Sequence, residues 1–219
     1  MNKAENILKT IKNAVFPRFC VSCRAEGRLL CDFCNANWQP PSISLKNVVD
    51  GHLASFNYAD PIARQLICAW KYHYDQSAWE HLKSKLRPGL ANLRHIVHAR
   101  KIEAVVPVPL HNRRLCERGF DQAVEISKFI ASEMDLPMVE VLTRNRSTGK
   151  QAEREVEERV QSMINNPFVL KSYSATKLPT SILLIDDVFT TGATAKAASE
   201  ILQRAGVKNV MVYTLAKGK

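Results

Sequence analysis

Residues 181–186, SILLID, do not alternate between apolar and polar. A strand with one wet face must alternate, so a run like this is covered on both faces. Covering both faces takes helices on each side and crossover connections between strands. With the strand and helix alternation of the second half of the chain, that argues for an open, mostly parallel α/β sheet flanked by helices. The next residues agree: a turn, DVFTTGA, and then a helical pattern over residues 194–205 closed by Gly206. In such sheets ligands sit beyond the carboxyl ends of the strands. Asp186 and Asp187 stand at such an end.

The same alternation runs through the second half of the chain. EAVVPVP (103–109) reads as a short buried strand stopped by its prolines. Residues 121–134 read as a helix with Val124, Ile126, Phe129 and Ile130 apolar, MVEVL (138–142) as a strand and NVMVYTLA (209–216) as the last strand. Residues 143–166 are highly charged, with a short helix in EREVEERVQSM. The first half reads as helical. Ile7, Leu8, Ile11 and Val15 give residues 1–16 an amphipathic helix. Asp60 and Pro61 are an N-cap followed by proline at the first helical position, opening a helix that carries Ile62, Leu66, Ile67 and Trp70. A second pattern, Leu82, Leu86, Leu90, Leu93 and Val97, is kinked or split at Pro88-Gly89. The expected parts are thus the helix 1–16, a module 17–41, a helical connecting region 42–100 and the sheet domain 101–219.

The module is defined by CVSCRAEGRLLCDFC, in which Cys20, Cys23, Cys31 and Cys34 form two CxxC pairs seven residues apart. Each pair offers two thiolates to one metal, and two pairs complete a tetrahedron. A redox dithiol rivals a single CxxC, but two closely spaced pairs in a reducing compartment favour Zn²⁺ over disulfides. With all four positions filled by protein the site is structural. Cys68 reads as a packed core residue, and Cys116, beside Arg113, Arg114 and Arg118, as a thiol without a role.

The turn after SILLID looks built for an anion. A loop and a helix N-terminus aim backbone N–H groups inward, and the helix dipole favours negative charge there. Gly192 allows close approach of the backbone, and Thr190, Thr191 and Thr194 add hydroxyl donors. Two carboxylates beside an anion site make sense if they meet a different part of the ligand. They can accept from sugar hydroxyls and orient a Mg²⁺-bound group. A phosphate at one end, a diol in the middle and a pyrophosphate at the other fit the run, as in phosphoribosyl pyrophosphate.

ILLIDDVFTTGAT resembles the signature of type I phosphoribosyltransferases, which implies that fold. The resemblance implies that Asp186 and Asp187 approach the ribose hydroxyls and that Val188, Phe189, Thr190, Thr191, Gly192, Ala193 and Thr194 cup the 5′-phosphate. Together with the four-cysteine module, FNYADPIARQLICAWKYHYD, VVPVPLHNRRLCERGFDQA and LTRNRSTGKQ, it makes nearly the whole chain similar to the ComF family. These are phosphoribosyltransferase-fold proteins of natural competence, associated with moving incoming single-stranded DNA into the cytoplasm. By position PLHNRRLCERGFDQ matches the family's pyrophosphate-side segment, bringing in Arg113, Arg114 and Arg118, and TRNRSTGKQ matches its mobile lid, bringing in Arg144, Arg146 and Lys150. The family more often has asparagine where this chain has Asp121, which reads here as a helix cap.

Charge adds a second expectation. The chain carries +10, and between His81 and Arg118 nine Lys or Arg face two Glu. Such a concentration suits phosphate-bearing partners or a solvated helix face. With Trp70, Tyr72, Tyr74 and Trp79 nearby, Lys83, Lys85 and Arg87 are the expected contacts to single-stranded DNA, although at least one tryptophan is expected in the core. Three functions are open on these grounds: handling of incoming single-stranded DNA with a phosphoribosyl pyrophosphate site, a salvage phosphoribosyltransferase, and a regulator that binds the ligand without turnover. For an enzyme Asp186, Asp187, Arg144, Arg146 and Lys150 are the catalytic candidates. No run reaches the about 20 apolar residues of a membrane span. The expected location is the cytoplasm, with the inner-membrane surface and its competence machinery as further partners implied by the resemblance.

Overall fold

The computed structural model describes residues 17–40, 51–144, 166–171 and 178–218, without the side chains of Asn112 and Arg113. Among these residues the elements are α1 (Asp32–Asn37), β1 (His52–Asn57), α2 (Pro61–His73), α3 (Gln76–Leu86), α4 (Leu90–Ala99), β2 (Ala104–Pro107), α5 (Asn112–Arg118), α6 (Gln122–Met134), β3 (Leu142–Arg144), β4 (Phe168–Leu170), β5 (Ser181–Phe189), α7 (Ala193–Arg204) and β6 (Asn209–Lys217). The expected N-terminal helix, the helix in EREVEERVQSM, and Arg146 and Lys150 lie outside the described residues.

A four-stranded sheet runs in the order β1-β6-β5-β2, and every pairing is parallel. β5 is covered on both sides, as its sequence demands. Leu183 and Ile185 enter one core with α2, α3, α4 and α6, whereas Ile182 and Leu184 enter another with Ala198 and Leu202 of α7. Two-residue alternation is still present, but both faces are dry. The all-parallel arrangement brings the carboxyl ends of β5 and β2 to one edge, with Pro107 beside Ile185.

Asp60 caps α2, its Oδ1 accepting from Ile62 and Ala63 N–H at 2.8 and 3.0 Å. The Leu82–Val97 pattern is split by a 3₁₀ turn at Arg87–Gly89, where proline removes a donor. Two expectations need correcting. The connecting region is not all helical: β1 pairs with β6 at the sheet edge. Its polar residues are held by the sheet, His52 Nε2 lying 2.9 Å from Thr214 Oγ1 and Ser55 Oγ 2.6 Å from Tyr213 Oη. MVEVL is not one strand either. Met138 makes a single bridge to Val105, and Leu142 then leaves to pair antiparallel with β4.

The cysteine module is not a separate body. Cys20, Leu30, Cys34 and Trp38 belong to the same buried cluster as Leu53, Phe56 and Trp70. Trp38 stacks on Phe56 at 5.6 Å and donates its Nε1–H to Asp60 Oδ2 at 3.0 Å.

Candidate functional site

Beyond the ends of β5 and β2 lies a cleft of about 290 Å³ lined by Lys71, Arg114, Asp121, Asp186, Asp187, Thr190 and Thr194, with Tyr58, Gln122 and Arg144. The sheet topology thus brings the acid pair, Thr190 of the turn, Thr194 of α7, Arg114 and Arg144 to one place. Arg118 lies outside this lining. It is buried, donates to Gln122 Oε1 at 2.9 Å and lies 5.1 Å from the Tyr72 ring centroid.

Sequence reasoning missed Lys71. It sits at i+4 from Ile67 and i+8 from Ala63, where the apolar face of α2 calls for another apolar residue. A lysine there was the available signal. Lys71 is buried and its Nζ is 2.6 Å from Asp187 Oδ2. Part of Asp186 faces the cleft, yet burial of its carboxyl, and then the Asp187 charge, push it up to about 7. The Asp187 N–H, donating to Asp186 Oδ1 at 2.7 Å, only partly opposes this. An acid pair beside an anion site is therefore tolerable: Lys71 answers one charge, and the other carboxyl holds a proton up to near neutrality.

Asp121 does cap α6, its Oδ1 accepting from Ala123 N–H at 2.9 Å. Its second oxygen accepts from Leu110 N–H at 2.8 Å, tying down the segment that leads into α5. An asparagine could not accept on both sides, since its nitrogen only donates.

The anion turn is shorter than expected. β5 continues through Val188 and Phe189, which pair with Ala216 and Lys217, so only residues 190–192 form the turn. α7 then opens at Gly192, which has no capping side chain; Ala193 N–H donates to Thr191 Oγ1 at 3.4 Å, and Thr194 of the first turn lines the cleft. Phe189 supports this turn from below. Its ring stacks on His52 at 3.8 Å, and a Cβ built on Gly192 meets Phe189 Cζ at 2.7 Å. Gly192 also has φ +76°. Gly192→Val should therefore distort the turn through the trapped ring rather than by blocking an anion directly. The expected outcome is a loss of about 2 kcal/mol or more in chemical unfolding, together with weakened phosphate binding in calorimetry. Unchanged stability would show that the ring yields freely and does not hold the turn.

In the module the four cysteine sulfurs lie within 4.8 Å of one another and can hold one metal ion. They are the only such group among the described residues. Burial works against a Cys20 thiolate, but N–H groups of Cys31, Cys23 and Ser22 outweigh it and bring Cys20 down to about 6. A hydrogen bond from Ser22 favours the Cys34 thiolate, yet burial and the sulfurs of Cys23, Cys31 and Cys20 push it up to about 12. Four sulfurs this close need a cation to ionise together, which fits a thiolate metal site.

The expected DNA cations are each engaged within the chain. Lys83 pairs with Glu80 at 2.7 Å, Lys85 donates to the Asn35 carbonyl of the cysteine module, and Arg87 pairs with Glu133 at 3.3 Å. Both tryptophans are buried, stacked on each other at 4.6 Å. They are core, and no base can stack on them. Tyr72 and Tyr74 are exposed.

Comparison with known proteins agrees with this geometry. Residues 121–219 match the model of the phosphoribosyl transferase domain. The chain is 29% identical over 214 residues to Competence protein F of Haemophilus influenzae, across 95% of this chain and 87% of that protein. It is 33% identical over 112 residues to Competence protein ComFC of Streptococcus pneumoniae, across 51% of this chain and 47% of that one. To the DNA utilization protein YhgH of Escherichia coli strain K12 it is 30% identical over 138 residues, across 57% and 56%. The matches thus span about half the length of the latter two relatives.

Proposed function

This chain belongs to the ComF family of phosphoribosyltransferase-fold proteins, and from that membership and its cleft we propose that it binds Mg²⁺–phosphoribosyl pyrophosphate and assists the handling of incoming single-stranded DNA in natural transformation. The observation that carries the ligand is the convergence of the acid pair, the uncapped start of α7, Arg114 and Arg144 on one cleft. In this reading Asp186 and Asp187 accept from the ribose hydroxyls. The N–H groups and hydroxyls of residues 190–194 hold the 5′-phosphate. Arg114 and Arg144 face the pyrophosphate. Asp186 and Asp187 would orient the Mg²⁺-bound ligand, the ion neutralising pyrophosphate charge. The four cysteines hold a structural Zn²⁺. The competence role rests on the relatives' names and on the basic charge.

Calorimetry with phosphoribosyl pyrophosphate and Mg²⁺ tests the site. One molecule per chain is expected, with affinity lost when Asp186 and Asp187 are both replaced by alanine. Full affinity in that variant would place the ligand elsewhere. Adding a panel of bases and assaying pyrophosphate release separates the readings: base-dependent release marks a salvage enzyme, whereas binding without release fits the uptake role or a regulator.

The pH dependence is specific. An Asp186 raised to about 7 keeps a proton in the folded, ligand-free protein that the unfolded chain releases near the usual carboxylate value. The folded state then binds more protons between those limits, so stability should fall as pH rises through that window and level off above about 7. Ligand that needs the ionised carboxylate should bind better over the same rise, by up to about tenfold per pH unit below 7. Urea titrations and calorimetry from pH 5 to 8 measure both. Asp186→Asn should flatten the stability curve, and a wild-type curve that is already flat would refute the assignment.

A further inference from the structure

We propose that the ledge formed by Tyr72, Tyr74 and α5, rather than the Lys83–Arg87 segment, receives the bases of single-stranded nucleic acid; this deepens the DNA-handling reading and rests on it. The two rings are 58% and 47% exposed, so a base can reach them. Both are held in place. The Arg118 guanidinium packs on Tyr72 and is itself pinned by Gln122, and the Tyr74 hydroxyl donates to the Glu117 carbonyl while its ring meets Phe120 edge-on, with centroids 6.1 Å apart. A fixed ring loses little freedom when a base stacks on it.

Charge selects the same occupant. Arg114 is exposed on α5 and also lines the cleft, and a second hollow of about 430 Å³ joins Arg114 and Arg144 to His111 and Glu117. Cations for phosphates thus continue from the ledge toward the ligand cleft. Stacking on a ring needs an unpaired base, since a duplex hides its base faces. The Lys83–Arg87 segment offers no such ring, its tryptophans being buried, and two of its three cations already face acids of the chain.

The test compares a labelled oligo-dT with an abasic strand of equal length and charge, by fluorescence anisotropy on the full chain. Wild type should prefer oligo-dT by about tenfold, as expected for base–aromatic stacking. Tyr72→Leu should level the two strands while leaving phosphoribosyl pyrophosphate affinity and the melting temperature unchanged, whereas Arg87→Gln should keep the preference. Retention of the preference in Tyr72→Leu, or its loss in Arg87→Gln, would overturn the ledge while leaving DNA binding intact. A wild type that binds neither strand would remove the DNA reading itself. Wild type that instead favours phosphatidylglycerol vesicles, with Tyr72→Leu weakening that binding, would make the ledge a lipid contact and refute the proposal.

Discussion

Asp187→Ala should destabilise the protein by about 3 kcal/mol, because it leaves Lys71 as a buried cation without a partner. The Lys71 and Asp187 side chains are only 9% and 19% exposed, so water cannot readily replace the lost carboxylate. Removing one member of such a pair costs about 3–5 kcal/mol, and the open side of the cleft favours the lower end. For a chain of this size that is a fall of roughly 6–12 °C in melting temperature. Asp186→Ala should do far less, since that carboxyl, raised to about 7, is about half protonated near pH 7 and is not the direct ion-pair partner of Lys71. Adding Lys71→Met to Asp187→Ala should restore most of the stability while ligand affinity stays low. The double-mutant cycle reads the coupling directly. If Asp187→Ala melts like wild type, the ion pair contributes nothing, and Lys71 must be explained otherwise.

Metal removal should have the larger effect on the fold. Binding of structural Zn²⁺ to four thiolates is worth about 10–16 kcal/mol in small zinc modules, and that energy is folding energy. Here the loss should not stay local, because Leu30 and Trp38 are packed in one cluster with Leu53, Phe56 and Trp70. The sequence alone suggests that Cys20→Ser would loosen residues 17–41 and spare the sheet. The shared core leads instead to exposure of Trp38 together with a lowered melting temperature for the whole protein. Elemental analysis should give one Zn²⁺ per chain, and a chelator should red-shift the tryptophan emission. A metal-free protein with an unchanged spectrum and melting curve would show that the sulfurs hold nothing of consequence.

The parts of the fold legible in the sequence are those whose local pattern and tertiary environment agree. SILLID reads as a strand buried on both faces because it does not alternate, and the Asp60-Pro61 and Asp121 caps marked their helix starts because capping is local chemistry. HLASFN was not legible as a strand. Its histidine and serine look like surface residues until Thr214 and Tyr213, far along the chain, satisfy them. MVEVL had the composition of a strand, but composition does not fix which neighbour it pairs with. At the site the acid pair and the threonine turn were legible because they are contiguous. Lys71 was not, since its partner is 116 residues away, as the two residue numbers show. The partners of Lys83, Lys85 and Arg87 were not legible for a related reason: a run of charge says nothing of the acids and carbonyls that meet it once folded.

The two ends of α2 are fixed to different parts of the molecule. At the start Asp60 receives the Trp38 indole, and near the end Lys71 reaches Asp187. A helix of 13 residues spans about 20 Å and resists compression. The four positions are therefore mechanically linked, and linked inheritance is the expected consequence. A lineage that discards the cysteine module takes away the tryptophan that steadies the head of this helix, and the lysine at its tail then has less reason to hold its place beneath the second acid. Tryptophan, cap, lysine and acid should be kept together or drift together, so that the history of a metal knuckle is written into the charge of a ligand cleft on the far end of one rod.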